Sequence, residues 1–229
     1  MNKRIAVIAG TPVDTRMGVE YLNKKDPEID AIYLPLEDNP RACHIFQMKT
    51  SEEKHEQMKA HFEKGLKLGA EAFFIYCNSL SASFDFKSLA KEMSVNCITP
   101  LDAYEKLASD YKCCGLIAAN NQATAGIEKT FTLKNPDCYV IGSGLLFLVE
   151  DIERGFRNEG PDYLAEAIVQ RHSLKKLCGF YKENGAECLI LGCTHFPYIR
   201  KALEAVTDLP VIDPADIMYE LTLNACHSL

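Results

Sequence analysis

Short apolar runs alternate with longer amphipathic stretches along the whole chain. The runs at residues 5–9, 29–34, 72–76 and 95–98 are bounded by turn-forming residues, which predicts buried strands. Between them the spacing changes. Met58, Phe62 and Leu66 recur every fourth residue after Ser51, which predicts a helix with one apolar stripe, ended by Gly69. Residues 83–93 predict a further helix with Phe86, Leu89 and Met93 inward. Asp14 and Thr15 are candidate caps for a first helix reaching about Leu22, and Pro100 opens another through Leu107. Residues 36–50, with Asn39 and Pro40, read as irregular.

The alternation then restarts. Strands are predicted at 115–119, 138–141, in the run ending at Cys193, and at 211–212. Helices are predicted near 126–131, from Pro161 at a first-turn position to about Glu183, after Pro197, and from Pro214 onward. Residues 142–160 read as a less regular crossing segment. This order predicts an α/β fold of two pseudo-symmetric domains with mainly parallel sheets. The expected domains are 1–99 with 212–229, carrying Cys77, and 100–211, carrying Cys193.

Two stretches support a duplication. Gly69, Ala70, Glu71, Ile75 and Cys77 fall on Gly185, Ala186, Glu187, Leu191 and Cys193. Further on, Ile98, Pro100 and Asp102 match Ile212, Pro214 and Asp216. Ligands in open α/β sheets bind just past the carboxyl ends of parallel strands. One thiol therefore stands at each of two equivalent strand ends.

Composition narrows the function classes. The chain has 229 residues, 47% hydrophobic and 25% charged, as expected of a soluble globular protein. A net charge of −7 without a basic run argues against nucleic-acid and anionic-membrane partners. No apolar run is long enough to span a bilayer, and no cleavable signal follows Lys3-Arg4. Ten cysteines without a secretion signal read as reduced thiols in the cytoplasm. There is no Cys-x-x-Cys pair, so no metal site is expected.

Most of these thiols read as inert small hydrophobes: Cys97, Cys113, Cys114, Cys138, Cys178 and Cys188 sit in or near apolar runs, while Cys43 and Cys226 carry no signal. Cys77 and Cys193 differ because a strand gives way there to a polar turn. A helix start beyond a thiol lowers its pKa from about 8.5. Two such thiols suit inversion at a stereocentre, where one takes a proton from one face of a carbon and the other returns a proton to the opposite face. Asn78 and Ser79 after the first thiol, and Thr194 and His195 after the second, offer groups for a carboxylate and an ammonium. Ser79 and Thr194 read equally well as helix caps.

Cys-Asn-Ser-Leu-Ser at 77–81 resembles the Cys-Asn-Thr-Ala motif of the aspartate/glutamate racemase superfamily. Gly-Cys-Thr-His-Phe-Pro at 192–197 is similar to the second-cysteine motif of glutamate racemases. Gly-Ala-Glu-Cys at 185–188 and Ile-Asp-Pro-Ala-Asp at 212–216 look more like the aspartate racemase branch. The resemblance implies a cofactor-independent racemase that uses no pyridoxal phosphate, with two α/β domains, an active site between them and a homodimeric assembly. It implies Cys77 and Cys193 as the catalytic acid/bases. It offers Thr11, Arg41, Asn78, Ser79, Gln122, Thr124, Thr194 and His195 as contacts for a small amino-acid substrate.

The chain also departs from the family. Ala9-Gly10-Thr11 stands where members carry Asp-Ser-Gly or Gly-Gly, so the acid that assists one thiol in glutamate racemases has no counterpart at Ala9. Asn121-Gln122 replaces two threonines around a glycine. Arg41 resembles an arginine that aspartate racemases use for the side-chain carboxylate; Arg157 is a weaker basic candidate and reads better as a surface charge. The expected function is racemisation of aspartate or glutamate. The alternatives are a hydantoin racemase, a maleate isomerase, an arylmalonate decarboxylase, an idle ligand-binding homologue and a thiol-redox protein. The presence of both cysteines argues against the decarboxylase, and the lack of Cys-x-x-Cys against the redox protein.

Overall fold

The computed structural model describes the backbone of residues 3–158 and 161–226, and their side chains except at 156–158, 161–164, 225 and 226. The chain divides into two compact units, Met1–Ala103 with Ala215–Leu229, and Tyr104–Pro214. In chain order the first unit holds β1 (Lys3–Ala9), α1 (Pro12–Lys25), β2 (Ile29–Pro35), α2 (Pro40–Gln47), α3 (Ser51–Lys67), β3 (Ala72–Ile75), α4 (Asn78–Ser83), α5 (Phe86–Met93) and β4 (Asn96–Ile98). Helix α6 (Pro100–Leu107) spans the boundary. The second unit holds β5 (Cys113–Ala118), α7 (Asn121–Lys134), β6 (Tyr139–Gly144), α8 (Leu146–Asn158), α9 (Pro161–Arg171), α10 (Leu174–Glu183) and β7 (Cys188–Gly192). A 3-10 turn at Phe196–Ile199, α11 (Arg200–Glu204) and β8 (Val211–Ile212) complete it, and α12 (Ala215–Cys226) returns to the first unit.

Each unit is built on one four-stranded parallel sheet. The strand orders are β2-β1-β3-β4 and β6-β5-β7-β8, the same topology twice. Strands covered by helices on both faces are apolar throughout, and β3 and β7 are buried at every position. The first core gathers Ile5, Val7, Phe73 and Ile75 with Met58 and Phe62 of α3. The second gathers Ile117, Leu189 and Leu191 with Ile152 of α8 and Tyr181 of α10.

The repetition reaches single hydrogen bonds. Glu71 N donates to Arg4 O at 2.8 Å, and Glu187 N donates to Cys113 O at 2.9 Å. Helices α3 and α10 end alike: Ala70 N reaches back to Gly65 O and Ala186 N to Tyr181 O, both at 3.0 Å, across Gly69 (φ 83°) and Gly185 (φ 90°). That closure requires a residue with positive φ, which glycine adopts without a Cβ clash. The threonine four residues into each first helix bonds back in the same way, Thr15 Oγ1 to Thr11 O and Thr124 Oγ1 to Asn120 O.

Several expected elements are corrected. Helix α1 begins at Pro12 with Thr11 as its cap, and Asp14 lies inside it as the reciprocal partner of a capping box. Residues 36–50 are not irregular: Asn39 caps α2 and Pro40 occupies its first turn, so Asn-Pro starts a helix here. Residues 83–93 form the end of α4 and the separate α5. Within the 142–160 segment, residues 142–144 end strand β6 and 146–158 form α8, while 159 and 160 lie outside the described residues. The helix expected from 161 to 183 is broken at Ser173 (φ 52°) into α9 and α10. On α3, Met58 and Phe62 are buried but Leu66 is 39% exposed. Eight residues of α-helix overshoot two turns by about 80°, so Gly65 takes the inward place, against Phe73.

Two alanine substitutions separate backbone conformation from packing. A Cβ on Gly179 or on Gly185 meets nothing within 4 Å. Gly179 is helical, within α10, so Gly179→Ala should stabilise by about 0.5–1 kcal/mol. Gly185 has positive φ, so Gly185→Ala should destabilise by about 1–2 kcal/mol. Urea midpoints of the two variants should therefore move in opposite directions.

Candidate active site

Cys77 follows the last rung of the β1–β3 ladder, where Tyr76 N donates to Ile8 O at 2.8 Å. The side chain is 5% exposed and the residue caps α4 through its carbonyl, which accepts from Ser81 N and, at 2.9 Å, from Ser81 Oγ. Ser79 Oγ lies 3.5 Å from Cys77 Sγ, and the Leu80 backbone N–H lowers the pKa of this thiol. Asn78 and Ser79 are buried beside it.

A second thiol completes this cluster. Cys43, on α2, is equally buried. Gln47, one turn later, donates through Nε2 to Cys43 Sγ at 3.4 Å and to Ser79 Oγ at 2.9 Å. Gly10 makes room: a Cβ there would lie 2.6 Å from Cys43 Sγ and 3.4 Å from Cys77 Sγ. The neighbouring Cys43 thiol is the largest influence on Cys77 and lowers its pKa from the ordinary thiol value. Burial and the Asp14 carboxylate oppose it, while Ser79 and the Leu80 N–H assist. Cys43 is pushed well up, first by the neighbouring Cys77 thiol and then by burial.

Asp14 is a buried carboxylate at the start of α1. It accepts from Gly10 N at 3.3 Å, Thr11 N at 2.7 Å and Thr11 Oγ1 at 2.9 Å. Thr11 is thus tied into the cap. Although Ala9 cannot supply an acid, Asp14 brings one into the electrostatic range of Cys77 from the helix.

In the second unit Cys193 follows β7 and is 5% exposed. Its sulfur lies 3.5 Å from His195 Nδ1, and His195 Nε2 lies 2.9 Å from Glu153 Oε1 of α8. Both partners of that hydrogen bond are nearly inaccessible, with side chains 3% and 4% exposed. An ionised Glu153 orients the ring with its Nε2–H toward the carboxylate and Nδ1 toward the thiol. Thr194 is buried next to them. Tyr104, fully buried, is pushed up by burial, then by the charges of Asp213 and Cys193.

The remaining predicted contacts are placed as follows. Gln122 is half-buried in the first turn of α7. Thr124 Oγ1 donates to Asn120 O at 3.1 Å. Arg41 is exposed on α2. The side chain of Arg157 lies outside the described residues, and Arg154 pairs with Asp151 at 3.4 Å.

Other thiols behave differently from Cys77. Burial pushes Cys97, Cys113 and Cys178 up, and Cys138 up to about 12. Cys114 is raised by its hydrogen bond with Cys188 and then by burial. Cys43, Gln47 and Glu153 were not visible as site residues in the sequence. For Glu153 a signal exists: it follows Val149 by four residues and shares its buried helix face, so it is an acid within an apolar stripe. Cys43 and Gln47 share one helix face four apart, but only once α2 is known to be a helix.

Comparison with known proteins agrees with this geometry. The family model described as Asp/Glu/Hydantoin racemase matches residues 165–222. The glutamate racemase of Limosilactobacillus reuteri (strain DSM 20016) is 28% identical over 155 residues, 66% of this chain and 55% of that protein. That of Clostridium botulinum (strain Alaska E43 / Type E3) is 30% identical over 178 residues, 73% of this chain and 64% of that protein. The chain thus spans little more than half the length of the first of these relatives. Among solved structures, glutamate racemase from Francisella tularensis subsp. tularensis SCHU S4 in complex with D-glutamate aligns with TM-score 0.75 at 20% identity, over 99% of this chain and 82% of that one. Picrophilus torridus aspartate racemase aligns with TM-score 0.65 at 18% identity, over 98% of this chain and 94% of that one. With the doubled parallel-sheet fold and the two cysteine motifs, these matches make the chain similar to proteins of the aspartate/glutamate racemase superfamily.

Proposed function

We propose that this chain is a cofactor-independent racemase of an acidic amino acid, aspartate or glutamate, with Cys77 and Cys193 as its two acid/bases. The observation that carries the reading is the pair of thiols at equivalent strand exits, each set among buried polar groups, while Cys97, Cys113, Cys114, Cys138 and Cys178 are raised by burial or by one another. The names of the relatives, glutamate and aspartate racemases, supply the substrate class.

In one direction the Cys77 thiolate takes the α-proton, and the electron pair left on carbon delocalises into the α-carboxylate. Cys193, as the thiol, returns a proton to the opposite face. The reverse reaction exchanges the two roles. His195 stands beside Cys193 and can move a proton to or from its sulfur, while Glu153 keeps the ring oriented and balances the charge it takes up. Asn78, Ser79 and Thr194 are the nearest groups for the ammonium and α-carboxylate. Arg41 carries an exposed guanidinium suited to a side-chain carboxylate, and Gln122 an amide. Thr11 and Thr124 have their hydroxyl protons directed at Asp14 and Asn120, so each would meet a substrate as an acceptor, suited to the ammonium.

The test is incubation of the reduced protein with L-aspartate and L-glutamate in D2O without added cofactor. One of them should lose its α-proton and its optical rotation together; absence of exchange with both overturns the reading. Cys77→Ser and Cys193→Ser should each lower racemisation by about 10²–10⁴-fold, and full turnover in either variant would remove that thiol from the mechanism. Glu153→Gln should lower kcat by about tenfold or more with little change in KM. Because enantiomers have equal free energy, its kcat/KM should fall equally in both directions, which circular dichroism from each pure enantiomer would measure.

A further inference from the structure

We propose that Gln47 is a positioning residue for Cys77 that acts through Ser79: its carboxamide N–H occupies the Ser79 oxygen and turns the Ser79 hydroxyl proton toward the Cys77 sulfur. The catalytic consequence rests on the racemase reading, but the orientation of the hydroxyl does not.

Three observations carry this. The first is the reach of α2. A Cβ on Gly10 would lie 2.6 Å from Cys43 Sγ, so the bare glycine lets α2 pack directly against the exit of β1. Gln47 stands one turn after Cys43 on the same buried face of that helix. Its Nε2 comes 3.4 Å from Cys43 Sγ and 2.9 Å from Ser79 Oγ on α4. The second is the direction of the protons. An amide nitrogen donates and does not accept, so the Ser79 oxygen is the acceptor of the shorter bond. Ser81 and Ser83, on the same helix, give their hydroxyl protons to the Cys77 and Leu80 carbonyls, as helical serines commonly do. Ser79 does not. Its further partner among the described residues is Cys77 Sγ at 3.5 Å, so the hydroxyl proton is left for the sulfur. Nor is that hydroxyl used in capping: Ser79 lies inside α4, whose cap position is Cys77.

The third is the duplication. The residue two places after each thiol meets its sulfur at the same distance: Ser79 Oγ to Cys77 Sγ and His195 Nδ1 to Cys193 Sγ are both 3.5 Å. Each is held from behind at 2.9 Å by a buried side chain, Ser79 by Gln47 and His195 by Glu153. The holding helices correspond as well, since α2 follows β2 and α8 follows β6, the strands at the same edge of the two sheets. Gln47 therefore has in the first unit the place that Glu153 has in the second. Ser79 lowers the Cys77 thiol, as a donor to sulfur should. The titratable groups acting on that thiol are Cys43 of α2 and Asp14 of α1. Ala9 and Gly10 after β1, and Asn78, Ser79 and Leu80 of α4, do not titrate in this range.

The test is a pH titration of thiolate ultraviolet absorbance on the intact, reduced protein, with the Cys77 step assigned by its absence from Cys77→Ser. Gln47→Met, which keeps the length of the side chain and removes the donor, should raise that midpoint by about 0.5–1 pH unit. Ser79→Ala should raise it at least as far. In the Ser79→Ala background, Gln47→Met should move it by less than about half as much, because the two residues share one route to the sulfur. A Gln47 that only supported the fold, or acted through Cys43, would shift the midpoint equally in both backgrounds, and that result overturns the proposal. So does an unchanged midpoint in either single variant. A fall in Gln47→Met also overturns it, because the carboxamide oxygen would then face Ser79 and take its proton. If Gln47→Met does not fold, Gln47→Glu takes its place. Its carboxylate only accepts, so its shift should be larger with Ser79 present than in Ser79→Ala, and equal shifts overturn the proposal. The acid limb of the racemisation profile should follow the Cys77 midpoint. Absence of α-proton exchange alongside the coupled shifts would defeat the racemase reading and leave this inference standing.

Discussion

The hydrogen bond from Tyr76 N–H to Ile8 O is the last rung of the β1–β3 ladder, and the position of the first thiol depends on it. A strand alternates its faces with period two, so a slip of one residue would point Cys77 into the opposite layer. Aromatic packing on both faces prevents that slip. Phe73 stacks on Phe62 of α3, with ring centroids 4.0 Å apart and nearly parallel. On the other face Tyr76 stacks with Phe74 at 5.8 Å and with Tyr21 of α1 at 6.2 Å. The second unit fixes its register differently. Ala118 pairs with Gly192 at the end of the β5–β7 ladder, and the Tyr181 hydroxyl reaches the Leu116 carbonyl at 2.9 Å. The outcome is equivalent, with a cysteine just beyond the strand in both.

The two thiols are surrounded by different chemistry. Around Cys77 the stabilising groups are neutral: a thiol, a hydroxyl, an amide and a backbone N–H. Around Cys193 they form an imidazole–carboxylate pair, removed from water on both sides. Burying two ionisable groups is costly unless they satisfy each other at close range, which a 2.9 Å bond between His195 and Glu153 does.

Much of this was legible in the chain because it is local. A buried parallel strand writes itself as an apolar run, and its exit as a change to small polar residues, so both thiols were visible. The side chains that meet them were not, since elements distant in sequence bring them there. Cys43 and Gln47 lay in a segment where Asn39-Pro40 suggests a turn, yet Asn39 accepts from Ala42 N and Pro40 needs no N–H in a first turn, so the pair begins a helix. Gly142 and Gly144 obscured α8, although both belong to the preceding strand. Asp14 looked like a cap because it is acidic and precedes an apolar pattern. It is the reciprocal half of the box that Thr11 begins, and only the folded loop shows its carboxylate near two sulfurs.

The duplication also shows why the two units diverged around their acids. Thr11, Asp14 and Thr15 of α1 correspond to Asn120, Ala123 and Thr124 of α7. Where the first unit has the Asp14 carboxylate, the second has the Ala123 methyl group, and Asn120 alone caps Ala123 N at 2.9 Å. The second unit takes its acid instead from Glu153, on the far side of the His195 ring from Cys193. An imidazole between acid and thiol converts the carboxylate's charge into an orienting force on the ring, so it no longer acts directly against the sulfur. The first unit has no ring in that place. Its carboxylate raises both nearby thiols, and for Cys77 the neighbouring Cys43 and the Ser79 hydroxyl offset that. An acid near each thiol is common to both halves: Asp14 acts directly on the first sulfur, whereas Glu153 is held behind the His195 ring in the second.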